Sequence, residues 1–431
     1  MGASGTWHLG LKHPDRFAAL GPYCGYVDTH RFSETPLPNF IKVPALPPRQ
    51  ELGLHMLDSV DYAANAEMIP TIAAIGEKDI FFAAHVIMGQ AMRREGLTMT
   101  NLISPGTGHV IDPKTHAEQL SRIAREVEQG LDRARRRVRF VTYTLKYNRC
   151  HWLEIHGLDQ HYQRAEVVAS LTDEEILDIS CVDNVRRLAI DLERLAQRPR
   201  TVRVKGESVA MSGMPTRLCL ERQSDGWRQV AVDSPSWKFG KRPGLQGPID
   251  DAFCSPFLCV RGTGAAWNSQ VQSWADASLD AFTDEWRRYF RGDLPVKRDM
   301  DVTAEDVERC HLILFGDPGS NLWIAKALPH LPLTWTRDEV RVGQASATAR
   351  DHVPLLIQPN PLATSRDQYL VINSGHTFHE AELNAVNYLL FPRLGDWAIL
   401  AADAAKVRKS DPHIFDDPSV IAAGYFDENW R

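Results

Sequence analysis

Two residues in the first third of the chain have the types and spacing for acid–base chemistry. Asp79 ends the turn Gly76-Glu77-Lys78-Asp79, and His109 ends the turn Gly106-Thr107-Gly108-His109, 30 positions later. An imidazole takes and returns a proton near neutral pH. A carboxylate behind it fixes its tautomer and stabilises its protonated form. The pair becomes a covalent catalyst only with a nucleophile. Ser4, in Gly2-Ala3-Ser4-Gly5-Thr6, is the serine at hand. Only three residues precede it, too few for a strand to present it. The pattern G-x-S-x-G also fails at Thr6. His8, His13 and His85 compete with His109, but they fall on or beside helical runs, where packing and surface roles are the expectation.

Such a pair needs rigid elements to hold it. Residues 1–13 fit a helix, and the apolar run Phe17 to Gly25 fits a buried parallel strand. Pro70 to Ile75 and Thr98 to Ser104 are two further buried strands, each leading into one of the two turns. Residues 81–95 and 113–132 are helical, with Gly96 as a stop. Residues 29–53, with Pro36, Pro38, Pro44, Pro47 and Pro48, read as a surface excursion. Strands alternating with helices predict an α/β layer fold with a parallel sheet. Asp79 and His109 then follow strand carboxyl ends, where open parallel sheets place their sites.

The opening run Met1-Gly2-Ala3-Ser4-Gly5-Thr6-Trp7, with Pro14-Asp15-Arg16-Phe17-Ala18-Ala19 after it, resembles the elbow of the prolyl-oligopeptidase family of serine peptidases and their esterase relatives. Gly76-Glu77-Lys78-Asp79 and Gly108-His109 support the likeness, which covers residues 1 to about 130. The resemblance implies an α/β-hydrolase fold and hydrolysis of peptide or ester bonds through an acyl-enzyme. It implies a Ser–Asp–His triad with Asp79 and His109 as its last two members. It places the nucleophilic serine immediately before Met1 and makes the Met1 backbone N–H an oxyanion-hole donor. On this alignment Ser4 falls three places past the nucleophile. The chain would then be the C-terminal half of a hydrolase domain, truncated at its N-terminus and inactive as it stands. The alternative is a non-catalytic binding or assembly protein derived from a hydrolase.

Beyond residues 1–132 two more domains are expected. Five arginines at 133, 135, 136, 137 and 139 mark a solvated junction. Residues 136–240 alternate with period two from Val138, with strand candidates at 151–156, 164–170, 186–192, 201–205 and 216–222. They predict a small antiparallel β domain. Residues 241–250 form a joint. Residues 247–431 predict a second, three-layer α/β domain of unknown role. Its strands are expected at Phe257 to Arg261, His311 to Phe315, Pro354 to Gln358 and Tyr369 to Asn373. Its helices are expected at 266–291, 321–328 and 378–391. Trp267, Trp274, Phe282, Trp286 and Tyr289 recur at near-helical spacing and read as core.

Composition narrows the partners. The 431 residues are 43% hydrophobic and 24% charged, with a net charge of -6. That balance gives no reason to expect a nucleic-acid partner. No apolar run has the length of a membrane span, and no signal peptide is visible at Met1. A peptide or ester substrate is the expected partner, and localisation and oligomeric state are left open. Seven scattered cysteines without a Cys-x-x-Cys pair predict buried free thiols, with no disulfide framework, metal site or cofactor. Gly316-Asp317-Pro318-Gly319-Ser320-Asn321 lacks the lysine of a phosphate loop and reads as a turn with an N-cap. His376-Thr377-Phe378-His379-Glu380 matches no zinc-protease spacing. Asn373-Ser374-Gly375-His376 sits at a strand end, in position to line a cleft.

Overall fold

A computed structural model describes residues 2–34, 41–213, 215–232, 234–378, 380–383, 387–407 and 414–431. Met1, Pro36, Pro38 and His379 lie outside the described residues. Helices and several sheets build a multidomain α/β protein. The chain divides into two compact units, Met1–Pro44 with Leu54–Pro243 and Ala45–Gly53 with Gly244–Arg431. The proline-rich stretch 29–53, expected as an excursion of the first domain, is therefore split, and Ala45–Gly53 belongs to the second unit.

The first unit opens with helix α1 (Gly2–Lys12), whose Trp7 and Leu11 are fully buried. Gly10 lets Leu20 pack closely on α1, because a Cβ would sit 2.2 Å from Leu20 Cδ1 and force that side chain to move. The run Phe17 to Gly25 does not form the expected strand. It makes two isolated parallel bridges, Leu20 with Thr71 and Tyr23 with Ala74. Pro22 has no N–H to give to a ladder. Cys24 (φ 62°) and Gly25 (φ 97°) then turn the chain away.

Helix α2 (Pro48–Leu57) is followed by a 3-10 segment at Val60–Met68. Strand β1 (Ile72–Gly76), helix α3 (Phe82–Arg94), strand β2 (Thr100–Ser104) and helix α4 (Pro113–Gln129) come next. The two strands pair in parallel, Ile72 beside Thr100 through Gly76 beside Ser104. Helix α4 starts where its residues say it should: Asp112 accepts from Lys114 N–H and Thr115 N–H, and Pro113 needs no donor at N1. Trp7, Leu11, Leu20, Ala73, Ile87 and Met88 share one apolar core.

The same unit continues into a second core built between two five-stranded sheets. Their strands are β3 (Arg137–Thr142), β4 (Arg149–Cys150), β5 (Leu153–Leu158), β6 (Ala165–Leu171) and β7 (Ile176–Asp183). Then come β8 (Val185–Asp191), β9 (Thr201–Val204), β10 (Glu207–Val209), β11 (Arg217–Gln223) and β12 (Gly226–Val230). The sheet orders are β10-β9-β7-β6-β3 and β12-β11-β8-β5-β4. Pairing is antiparallel except between β7 and β9, which run parallel against expectation. A short helix α5 (Pro235–Lys238) follows.

Within the arginine run Arg133, Arg136 and Arg137 are exposed, while Arg135 and Arg139 are half-buried. Arg139 reaches Glu95 (2.6 Å) and Glu166 (2.7 Å), Arg137 pairs with Glu67, and Arg135 donates to the carbonyls of Glu67 and Met68. The cations thus join the α/β part of the unit to its β part. Asn65 adds a direct link. Its amide donates to Val141 O (2.9 Å) and its carbonyl accepts from Val141 N–H (2.7 Å), in the manner of a neighbouring strand.

The second unit carries one large core under a seven-stranded sheet of order β14-β13-β15-β20-β19-β21-β22. Its elements are β13 (Phe257–Arg261), α6 (Ser269–Glu285), β14 (Val296–Arg298), α7 (Ala304–Arg309), β15 (His311–Phe315), α8 (Leu322–Ala327), β16 (Thr334–Trp335), β17 (Glu339–Val342) and β18 (Ala345–Thr348). They continue with β19 (His352–Pro359), β20 (Tyr369–Ile372), α9 (Glu380–Leu383), β21 (Trp397–Ala401) and β22 (Val420–Gly424). Strands β14, β13, β15 and β20 are parallel, while β19, β21 and β22 add in antiparallel fashion. The sheet is therefore mixed, and β16–β18 form a separate antiparallel meander. Trp274 and Phe282 of the aromatic stripe are core residues, as their spacing suggests. The helix expected over 378–391 is only the short α9 and a 3-10 turn at Asn387–Leu389 among the described residues. The Gly316–Asn321 segment is a capped turn: Asp317 Oδ1 accepts from Gly319 and Ser320 N–H, and Asn321 caps α8.

Candidate active site

Two loops at the carboxyl ends of β1 and β2 bring Asp79 and His109 together. They are stapled by backbone bonds, Glu77 N–H to Ser104 O (2.9 Å) and Lys78 N–H to Thr107 O (2.8 Å). Glu77 Oε2 accepts from Gly106 N–H at 2.7 Å. Gly76 makes this approach sterically feasible. A Cβ there would lie 2.0 Å from Gly108 O and 2.6 Å from Thr107 O, both backbone atoms that cannot swing aside.

Asp79 is buried, its side chain 0% exposed, and all its acceptor capacity is directed inward. Oδ1 accepts from Phe81 N–H (2.8 Å). Oδ2 lies 3.0 Å from His109 Nδ1 and 2.8 Å from Cys24 Sγ. The carboxylate partner assigns the proton to Nδ1 of His109, which leaves Nε2 as a basic lone pair. The His109 side chain is 59% exposed, so its outer edge is accessible. Tyr23 stacks beside the ring (6.3 Å between centroids) and Phe81 tilts against it (5.2 Å). The buried acid is therefore fixed, and the imidazole it holds faces solvent between two aromatic rings.

Cys24 is the residue that sequence reasoning missed. A lone cysteine in an apolar run carries no signal of its own. Its role follows from the left-handed turn at Cys24 and Gly25. Burial pushes the Cys24 thiol up, and the neighbouring Asp79 carboxylate pushes it further. The thiol is thus a hydrogen-bond donor to Asp79, with no thiolate character for attack. Burial likewise pushes the Tyr23 phenol up to about 12. Cys24, Asp79 and His109 offer three potential metal-ligand atoms within 4.8 Å of one another, the group of that kind found among the described residues.

The start of α1 lies against this cluster. At Gly25 a Cβ would sit 2.7 Å from Ser4 N and 2.8 Å from Ser4 Oγ. Ser4 is buried, and its Oγ accepts from Tyr26 N–H (3.1 Å), which gives the serine a structural task. Met1, the expected oxyanion donor, lies outside the described residues. The competing histidines are packed. His8 Nδ1 lies 3.0 Å from Leu57 O, and burial pushes its pKa down to about 3. His85 Nδ1 meets Asn101 Oδ1 at 2.8 Å. His13 stands edge-on to Tyr147. A cavity of about 780 Å³ in this unit is lined by Pro70–Ile72 and Thr98–Thr100, at the opposite ends of β1 and β2 from Asp79 and His109.

No helix among the described residues is long and apolar enough to cross a membrane. No family model matches the sequence, and no curated protein matches it. A solved structure of a ferulic acid esterase is similar over 29% of this chain, with 18% sequence identity and a TM-score of 0.21. The chain spans about half the length of that esterase, 49%.

Proposed function

We propose that the Asp79–His109 pair belongs to a serine hydrolase of α/β-hydrolase type that cleaves peptide or ester bonds. The observation that carries the reading is the buried Asp79 carboxylate holding a solvent-facing imidazole at 3.0 Å, on two adjacent parallel strand ends. In this reading His109 Nε2 takes the proton of a serine hydroxyl as the oxygen attacks the substrate carbonyl. It then returns that proton to the leaving amine or alcohol as the C–N or C–O bond breaks. Water repeats the sequence on the acyl-enzyme. Asp79 keeps the Nδ1–H tautomer and stabilises the imidazolium.

We assign the nucleophile to a serine directly ahead of Met1, as the elbow-like run Met1–Trp7 requires, with the Met1 N–H as one oxyanion donor. The likeness to the prolyl-oligopeptidase family is part of this proposal. The placement of α1 beside Cys24 supports it, because the elbow helix then starts near the acid–base pair. The buried Ser4 hydroxyl, which accepts from Tyr26 N–H, supports a structural role for that serine and a nucleophile elsewhere.

The test uses a fluorophosphonate probe on residues 1–431 and on the polypeptide carrying the residues encoded ahead of Met1. The longer protein is expected to label at the serine preceding Met1, and His109→Ala to abolish labelling. Residues 1–431 alone are expected to stay unlabelled. Robust labelling after His109→Ala, labelling at Ser4, or a stop codon directly ahead of Met1 would each overturn the proposal.

A further inference from the structure

The second unit holds a cavity of about 450 Å³ beside the carboxyl end of β20. Open α/β sheets place their ligands outside such strand ends. Trp274 and Phe282 of α6 line it, together with Phe378, Glu285 and His376. The loop Asn373–Phe378 is locked on both sides. Asn373 exchanges two hydrogen bonds with the backbone of Gly316, both 2.9 Å. Thr377 bonds Asp250 through its N–H and its hydroxyl, both at 2.6 Å. A Cβ at Gly375 would lie 2.9 Å from the Phe282 ring, so glycine lets the loop sit close to α6 without displacing that ring.

This rigid loop leaves one polar group unsatisfied. The His376 side chain is 3% exposed, and neither ring nitrogen has a hydrogen-bond partner among the described residues. Glu285 Oε2 lies 3.1 Å from Nε2, off the line of a ring N–H bond, yet near enough to hold the proton on that nitrogen. Nδ1 is then an unpaired acceptor, a costly state for a buried group. The ring stacks on Phe378 at 4.2 Å and meets Phe282 edge-on at 5.2 Å. An acceptor nitrogen set among aromatic faces fits a flat ring that carries a hydrogen-bond donor. The lining sets three cations, Arg49, Arg393 and Lys406, against three acids, Glu285, Asp403 and Asp417, so the cavity has no net charge to draw an ion.

We propose that this cavity binds a small, uncharged aromatic alcohol or phenol, with its hydroxyl donating to His376 Nδ1 and its ring packed on Trp274, Phe282 and Phe378. The site is independent of the Asp79–His109 pair.

Equilibrium dialysis of 2-naphthol and of 2-methoxynaphthalene against the whole chain tests the proposal. The methyl ether keeps the ring and removes the donor. Saturable 2-naphthol binding is expected, about tenfold tighter than the ether, as one buried hydrogen bond implies. His376→Phe keeps an aromatic ring and is expected to erase that tenfold difference while sparing ether binding. Ser278→Trp, which fills the cavity from α6, is expected to weaken both probes and serves if His376→Phe does not fold. Equal affinity of the two probes, tighter binding of 2-naphthoate than of 2-naphthol, or unchanged binding in Ser278→Trp would overturn it.

Discussion

Replacing Asp79 with asparagine tests the acid–base pair at its source. The carboxylate uses Oδ1 for Phe81 N–H and Oδ2 for both His109 and the Cys24 thiol. An amide has a single oxygen for these three donors. If that oxygen keeps Phe81, the NH₂ group faces His109, and the imidazole must move its proton to Nε2 to accept from it. If the amide turns over, the NH₂ group meets the Phe81 N–H at a 2.8 Å contact made for an acceptor. The first arrangement costs less, so the expected result is a tautomer switch. Losing the acceptor for Cys24 and His109 at a fully buried site is expected to lower stability by about 1–3 kcal/mol. In the serine-bearing polypeptide, the wrong tautomer is expected to slow acylation by roughly 10⁴-fold. Long-range ¹⁵N–¹H NMR of the histidine ring reads the switch directly in residues 1–431, without any nucleophile. The parent chain is expected to show the Nδ1–H form and Asp79→Asn the Nε2–H form. The same tautomer in both proteins would refute the assigned polarity of the pair.

Three further outcomes follow from the geometry. Gly76→Ala sets a methyl against two carbonyl oxygens at 2.0 and 2.6 Å, and is expected to cost about 3 kcal/mol in urea melts and to free the His109 Nδ1 proton for fast exchange. Ser4→Ala removes only the bond from Tyr26 N–H, at about 1 kcal/mol, and is expected to leave fluorophosphonate labelling of the longer protein intact; lost labelling in a folded variant would contradict the structural role. His8 is held neutral by burial, with its pKa near 3 against 6.5 unfolded, so the unfolded chain takes up the proton first. Stability is therefore expected to fall as pH drops from 6.5 towards 3, by about 2 kcal/mol at pH 5, and a His8→Gln variant without a flatter acid limb would contradict this.

Much of this was readable in the residues, for local reasons. Asp79 and His109 follow short apolar runs that end in glycine-bearing turns, and α1, α3 and α4 carry their own periodicity or caps. Elements whose pairing depends on remote partners carry no such local signal. The Phe17–Gly25 run has the composition of a strand, yet Pro22 and two left-handed residues limit it to two bridges. Strand β7 carries no clean two-residue period, because its buried residues Leu177, Ile179 and Val182 change parity where the pairing with β6 shifts register. Strands β21 and β22 close an antiparallel half that no short-range signal announces. Cys24 was invisible as a site residue because its thiol meets Asp79 across 55 positions of chain.

The bond pair between Asn65 and Val141 also bears on association. Strand β3 is the outer strand of its sheet, and an outer strand offers unpaired backbone groups to any passing chain. Asn65 occupies the donor and acceptor of Val141 with one side chain, so that point on the rim is closed to a foreign strand. The same amide also donates to Leu11 O in α1 (2.8 Å). One residue therefore seals a sheet margin and ties it to the helix that starts beside the acid–base pair. Loosening it would expose an adhesive edge and slacken α1 in a single event, coupling self-association to the loss of the site.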